Sequence, residues 1–278
     1  MSFVLSLQER NELETICKRI RVDVVTMLAK AGSGHPGGSL SCVELMTVLF
    51  EKILRRGPQM TDWNTRDHFH LSKGHVCPTL YALLAHQKYF DKKELDGLRQ
   101  MGALLQGHPH ITTPGVEACS GSLGQGLSVA CGMALAGKLN KADYKVFVLL
   151  GDGELQEGQV WEAAMFAAHY KLDNLCVIVD NNGLQIDGKI EDILSPYPID
   201  GKFAAFGFQV VTVADGHDVG AVYDAYRQVQ EASAGKPQVI IAKTVKGKGV
   251  SFMEGNVGFH GKSTTTEETE QALKELGI

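Results

Sequence analysis

No stretch of this 278-residue chain approaches the 18 consecutive apolar residues of a membrane span. A membrane protein is therefore not expected. The N-terminal MSFVLSLQERNELE reaches Gln8, Glu9 and Arg10 before the apolar centre of a secretory signal can form, so secretion is not expected either. The six cysteines (Cys17, Cys42, Cys77, Cys119, Cys131, Cys176) contain no CxxC pair, and a chain of this size buries a core without disulfide staples. We read them as reduced thiols in a cytoplasmic protein. Excess charge is also missing: a net charge of -5 argues against a general role on nucleic acid or on a membrane surface. Internal repeats and low-complexity tracts are absent. With 44% hydrophobic and 21% charged residues, the composition is that of an ordinary globular chain.

The apolar pattern predicts helices first, then a regular alternation of strand and helix. A long amphipathic helix is expected over residues 7–31, a loop at AGSGHPGGS, and a second helix near residues 42–55. HFHLS, residues 68–72, reads as a short strand, and helical spacing returns at residues 79–90 and 124–140. Strands follow at 145–150, 175–179, 208–214 and 237–245, with helices at 159–170 and 219–234 between them. The tail TTTEETEQALKELGI predicts a last helix capped by Thr265 or Thr266. The fold class expected from this alternation is α/β, a parallel sheet with helices on both faces.

Within VFVLLGDGELQEGQVWEAA, residues 146–164, an apolar run ends on an aspartate held between two glycines. A run that short reads as a strand buried on both faces, and ligands of such sheets bind at the carboxyl ends of the strands. Asp152 then either caps the helix that follows or offers a hard oxygen to a magnesium or calcium ion. The next strand supplies a partner. LCVIVDNNGLQIDG places Asn181 and Asn182 at its end, and Asn182 lies thirty positions beyond Asp152, about one strand-helix-strand unit. An Asn-Asn-Gly turn needs no ligand by itself. If the two strands are adjacent, however, the Asp152 carboxylate, the Asn182 amide oxygen and a loop carbonyl, expected at Leu184, meet at one edge. Magnesium would take its remaining oxygens from phosphate and water, so the site asks for a diphosphate.

Other nucleotide motifs fail on spacing. GSLGQG at residues 121–126 has its glycines in the wrong order for a dinucleotide fingerprint, although it can open a helix with free N–H groups. GNVGFHGKS has five residues between Gly255 and Gly261 where a P-loop needs four. Histidines are the other unusual feature. His35, His75, His108 and His260 each sit beside glycine in loop contexts, which points to one polar site built from several loops and suited to moving protons on hydroxyls. No serine elbow and no HExxH accompanies them.

These residues resemble the N-terminal, diphosphate-binding part of transketolase, a thiamine diphosphate enzyme. SGHPGGSL, LSKGH, GHP, PGVEACSGSLGQGLSVACGMA, GDGELQEGQVWEA and DNNGLQIDG all match in order, over about residues 7–262. The resemblance implies one thiamine diphosphate-binding domain over residues 1–278, with Asp152, Asn182 and the Leu184 carbonyl on magnesium (or calcium or manganese). It implies that His75, Gly153, Asn182 and His260 touch the diphosphate, that Gly121, Ser122 and Leu123 line the cofactor, and that Glu157 and Ile186 border it. Ser122 departs from the proline common in the family. By the same likeness His35, His108 and His260 face the sugar as catalytic residues, and Glu157 and Glu162 belong to an acidic shell at a subunit contact.

By the same resemblance, an activating glutamate and a pyrimidine-binding domain are expected to lie outside these 278 residues. The resemblance therefore implies a split transketolase in which this chain is the N-terminal subunit, active only with a second subunit that carries the pyrimidine-binding and C-terminal domains, in an α2β2 assembly. The implied reaction moves a two-carbon ketol unit from a ketose (phosphate) to an aldose (phosphate), and the cofactor supplies the carbanion chemistry. Pentose phosphates, a sulfo-sugar and a branched sugar phosphate all remain open as donors. Two other readings also stay open at this point: another thiamine diphosphate transferase or 2-oxo acid decarboxylating component, and a non-catalytic cofactor-binding protein.

Overall fold

The apolar runs form strands whose side chains alternate between two cores. In the computed structural model, which describes residues 5–231 and 235–278, the chain runs through α1 (Leu7–Ala31), α2 (Pro36–Ser41) and α3 (Val43–Val48), the last continuing into a π-helical turn, Leu49–Ile53. Next come β1 (His68–Leu71), α4 (Cys77–His86), α5 (Gln125–Asn140), β2 (Val146–Gly151), α6 (Gly158–His169) and β3 (Leu175–Asn181). A small antiparallel pair, β4 (Leu184–Gln185) and β5 (Gly188–Lys189), precedes α7 (Ile190–Leu194) and α8 (Ile199–Ala205). The described chain closes with β6 (Gln209–Val213), α9 (Val219–Gln230), β7 (Gln238–Lys243) and α10 (Thr266–Glu275).

Five strands make one parallel sheet in the order β1-β2-β3-β7-β6. Because successive residues of a strand point to opposite faces, Phe147, Leu149, Cys176, Ile178 and Ile240 enter one core, shared with α1, α3, α4 and α9. Val146, Val148, Leu150, Val177, Val179 and Val239 enter the other, under α5, α6 and α8. Every residue of β2 is buried, as a central strand covered on both faces must be.

Local chemistry sets the ends. Ser6 and Glu9 form a reciprocal capping box at the start of α1, and Gly32, at φ 63°, ends it with its N–H turned back on the last carbonyls. Thr265 and Glu268 repeat the box on α10, which places the cap at the first of the two threonines expected. The element expectations hold at most positions. The clearest difference is AGSGHPGGS, expected as a loop: α2 begins inside it, with Pro36 at its first turn. Glycine is a poor helix former, but here the close packing of Gly37 and Gly38 outweighs propensity. A Cβ on Gly38 would lie 2.9 Å from Val76 Cγ1, and one on Gly37 3.0 Å from both Lys246 Cγ and the Phe259 carbonyl oxygen. The short helices α7 and α8 are not expected from the pattern; prolines flank them and neither is long enough to show a periodic face. Residues 232–234 of the expected 219–234 helix lie outside the described residues.

The register decides where the site can be. Gly151 pairs with Asp180, and Asn181 with Lys243, so β2, β3 and β7 end level at one edge of the sheet.

Candidate functional site

At that carboxyl edge lies a cavity of about 320 Å³, in the size range of small-molecule sites. Each neighbouring strand end contributes to it: Lys73 and His75 after β1, Asp152 and Gly153 after β2, Asn182 and Leu184 after β3, Lys246 after β7. A wider groove of about 700 Å³ runs along α1 between Leu7 and His86, but its polar side chains come from helix surfaces and it touches no strand end. The chemistry belongs to the smaller cavity.

Asp152 is buried, and its carboxylate accepts from the backbone N–H groups of Gly153 at 2.8 Å and Gly183 at 2.5 Å. Burial, with the Asp180 charge adding to it, pushes its pKa up to about 7. Two N–H groups do not offset that cost, and among the described residues no cationic side chain pairs with Asp152. The position suits a bound cation. Asn182 is oriented from below: its amide nitrogen donates to Asp180 at 3.4 Å, and its Oδ1 accepts the Leu184 N–H at 3.2 Å. Asp180 is fully buried, held by Lys73, by Thr244 and by the Ser41 hydroxyl at 2.5 Å, and these partners keep its carboxylate below the usual range despite burial.

The Leu184 carbonyl, the third expected ligand, accepts from Lys246 Nζ at 3.3 Å. A cation therefore already rests on this oxygen. Burial, with Lys73 adding to it, lowers the Lys246 pKa to about 8, as expected of an ammonium in a dry, cationic pocket. Among the described residues no cluster of three His, Cys, Asp or Glu side chains could hold a metal. The available donors are one carboxylate, one amide oxygen and one carbonyl, a hard set that a magnesium ion would have to complete with phosphate and water. The residues fit a magnesium diphosphate better than a bare ion.

The histidines converge as expected. The rings of His35, His75 and His260 lie 5.0, 5.6 and 5.5 Å apart, centroid to centroid, and His108 lines the same cavity. Burial lowers their pKa values to about 4 for His35, about 2 for His75 and about 3 for His260, with Arg99, Lys73 and Lys246 adding to the effect at different rings. His108 is shifted the same way by burial and by Arg99. The cluster is thus neutral at pH 7, each ring having one N–H donor and one acceptor. His260 Nδ1 is buried and has no hydrogen-bond partner among the described residues, so this polar atom is left for a ligand to satisfy.

Of the remaining expected positions, Gly121, Leu123, Glu157 and Ile186 line the cavity. Ser122 is exposed and is not among the lining residues, and Glu162 is exposed on α6 beyond the cavity. Three charged lining residues escape the sequence reading. Lys73 sits inside LSKGH, two positions before His75. Lys246 follows a strand end in VKGKG, a glycine-flanked lysine that the strand-end rule could have found. Glu154 is buried and joins three loops: its carboxylate accepts from Ser72 Oγ at 2.5 Å, Gly124 N–H at 2.9 Å and Gly151 N–H at 3.1 Å.

Comparison with known proteins identifies the family. Residues 13–278 match the family model described as transketolase, thiamine diphosphate binding domain. The chain is 41% identical over 264 residues to one subunit of the apulose-4-phosphate transketolase of Phocaeicola vulgatus, covering 95% of this chain and 93% of that one. It is 40% identical over 270 residues to the 6-deoxy-6-sulfo-D-fructose transketolase subunit SqwG from a Clostridium species, covering 97% and 98%. Among solved structures, the transketolase of Campylobacter jejuni superposes with a TM-score of 0.89 at 34% identity, over 99% of this chain and 43% of that one. The fold, the strand-end cavity and the likeness over nearly the whole length agree: the chain belongs to the transketolase family, in its thiamine diphosphate-binding domain.

Proposed function

We propose that this chain is a single thiamine diphosphate-binding unit, residues 1–278, acting as the N-terminal subunit of a two-chain transketolase. It would transfer a two-carbon ketol unit from a ketose to an aldose once joined to a subunit that carries the pyrimidine-binding half. The carrying observation is the convergence of Asp152, Asn182, the Leu184 carbonyl and four histidines on one cavity. Two relatives of nearly the same length are named as transketolase subunits, which supports the split arrangement.

Asp152, Asn182 and the Leu184 carbonyl would hold magnesium, or calcium or manganese in its place, and Lys246 would move from the carbonyl to the diphosphate charge. Bound thiamine diphosphate supplies the carbon nucleophile and electron sink for cleavage of the ketose carbon-carbon bond. This chain's residues do the rest of the work on its side of the site. Gly153 and the turn at Gly121 and Leu123 let the main chain approach the cofactor, and Glu154 fixes three of the surrounding turns. His35, His108 and His260 orient sugar hydroxyls and exchange their protons. Burial holds the pKa values of these imidazoles low, and the charge of a diphosphate beside them would raise them.

The exposed apolar side chains of Val129 on α5 and Met165 and Phe166 on α6, with Tyr170 just beyond, support a covering partner. We take this to be the second subunit, in an α2β2 assembly. No helix among the described residues is long and apolar enough to cross a membrane, and we place the enzyme in the cytoplasm. The two relatives are named for different donors, one a sugar phosphate and one a sulfo-sugar. The donor proposed here is a ketose with an anionic terminus. The test is a ketol-transfer assay of the reconstituted pair with magnesium and thiamine diphosphate, run against pentose phosphates, a branched sugar phosphate and a sulfo-ketose. Absence of turnover with every donor would overturn the assignment.

A further inference from the structure

The loop that carries His108 has no helix or strand of its own between Met101 and Gly121, yet it must hold an imidazole in place. What holds it is α4, which begins directly behind the turn bearing Lys73 and His75. Cys77 and Tyr81 stand one helical turn apart on the same face of α4. The Tyr81 hydroxyl, wholly buried, lies 3.0 Å from the carbonyl oxygens of both Gln106 and His108 and shares its proton between them. The Cys77 thiol donates to the Gly107 carbonyl between these two, at 3.3 Å. Three consecutive carbonyls are thus drawn toward one helix face. On the other side, a Cβ on Gly107 would sit 3.1 Å from Arg99 Cζ and Nε, so the turn is closed by the guanidinium.

A backbone pinned at three successive carbonyls has little freedom left in the peptide planes that aim the His108 side chain. The His108 ring lies against Gly121, whose Cβ would meet it at 3.9 Å, and therefore beside the expected cofactor loop. Burial keeps the Tyr81 hydroxyl protonated by raising its pKa, and the neighbouring Cys77 thiol adds to the shift.

We propose that Tyr81 is a positioning residue for His108: its buried hydroxyl fixes the Gln106–Gly107–His108 turn and thereby aims the imidazole at the substrate. The same helix follows the His75 turn, so the cofactor and sugar sides of the cavity share one rigid support. The proposal rests on the reading of His108 as a sugar-facing residue.

The test is Tyr81→Phe, which removes one oxygen and keeps the ring. In the reconstituted enzyme, kcat/KM for the donor is expected to fall about tenfold, the scale of a small misplacement of a reacting group, while retention of thiamine diphosphate is unchanged. In the isotope-labelled chain, the His108 imidazole resonances shift. Added to His108→Ala, the substitution gives no further loss. A loss of equal size in the His108→Ala background would show that Tyr81 supports the fold at large, and would overturn the proposal. Unaltered turnover in Tyr81→Phe where His108→Ala is impaired also overturns it. Normal turnover in His108→Ala overturns the sugar-facing reading itself, an outcome recognisable without the Tyr81 variant.

Discussion

Asp152 Oδ2 accepts a 2.5 Å hydrogen bond from the Gly183 N–H, tying together two strand-end turns thirty-one positions apart in sequence. The turn after β3 is thereby held against the carboxylate after β2, and Asn182, one residue earlier, is carried into the same site. Asp152→Ala or Asn182→Ala should weaken magnesium-dependent binding of thiamine diphosphate by more than about a hundredfold, since losing only an outer partner of a metal ligand already costs about tenfold to a hundredfold. Titration calorimetry with and without magnesium measures it. Unchanged affinity in both variants would remove the metal site from these residues.

Lys246 gives a second cofactor prediction. Its ammonium rests on the Leu184 carbonyl and lines the cavity. Lys246→Met keeps the stem and removes the charge, so diphosphate affinity should drop about tenfold, the worth of one charge-assisted hydrogen bond. Binding of inorganic pyrophosphate should fall in proportion, since the contact is to phosphate. A variant that binds pyrophosphate normally would place the ammonium outside the anion site.

The histidines should separate by role. His35→Ala and His108→Ala are expected to lower transfer about a hundredfold, within the range for lost proton transfer, with the cofactor still bound. His260→Ala should impair both steps, because its ring stacks on His75 at 5.5 Å and carries a buried Nδ1 with no partner. Steady-state kinetics beside cofactor titration makes the distinction. Normal kinetics in all three would make the cluster structural.

His70 supplies a pH prediction away from the catalytic groups. It is buried in β1, its Nε2 has no partner, and burial lowers its pKa from 6.5 to about 4. Below pH 6.5 the unfolded chain takes up a proton that the folded chain refuses. Stability should therefore decline as pH falls from 6.5 toward 4, by about 3 kcal/mol from this group alone. In His70→Leu that part of the decline disappears. Denaturant unfolding at stepped pH tests it, and equal slopes in the two proteins would contradict it.

The last prediction concerns assembly. The chain alone should show no ketol transfer, and activity should appear on mixing with the second subunit. Met165→Glu on the exposed apolar face should weaken that association about tenfold or more, the effect of losing one central interface side chain, without changing the melting temperature of the isolated chain. Analytical ultracentrifugation of the mixture follows it. Full turnover by the lone chain would overturn the two-chain reading.

Much of this protein is readable from local pattern. Apolar runs ending at glycine determine β2 and β3, helical spacing with Ser6, Gly32 and Thr265 as punctuation determines α1 and α10, and alternation of the two determines a parallel sheet. These features depend on neighbours in sequence, and so the sequence alone settles them. The order and spacing of the glycine, histidine and asparagine motifs likewise identify the family. Only the tertiary structure decides that β3 lies between β2 and β7, because strand order depends on which apolar faces pack together across the chain. That adjacency brings Lys246 to Asp152 and Leu184 and sets Thr244 against Asp180, the buried support of Asn182, while the pairing of β1 with β2 lets Glu154 bind three loops at once. It also lifts GHPGGS out of loop structure: the glycines of α2 are chosen for the close approach of Val76, Lys246 and Phe259, contacts that no window along the sequence contains.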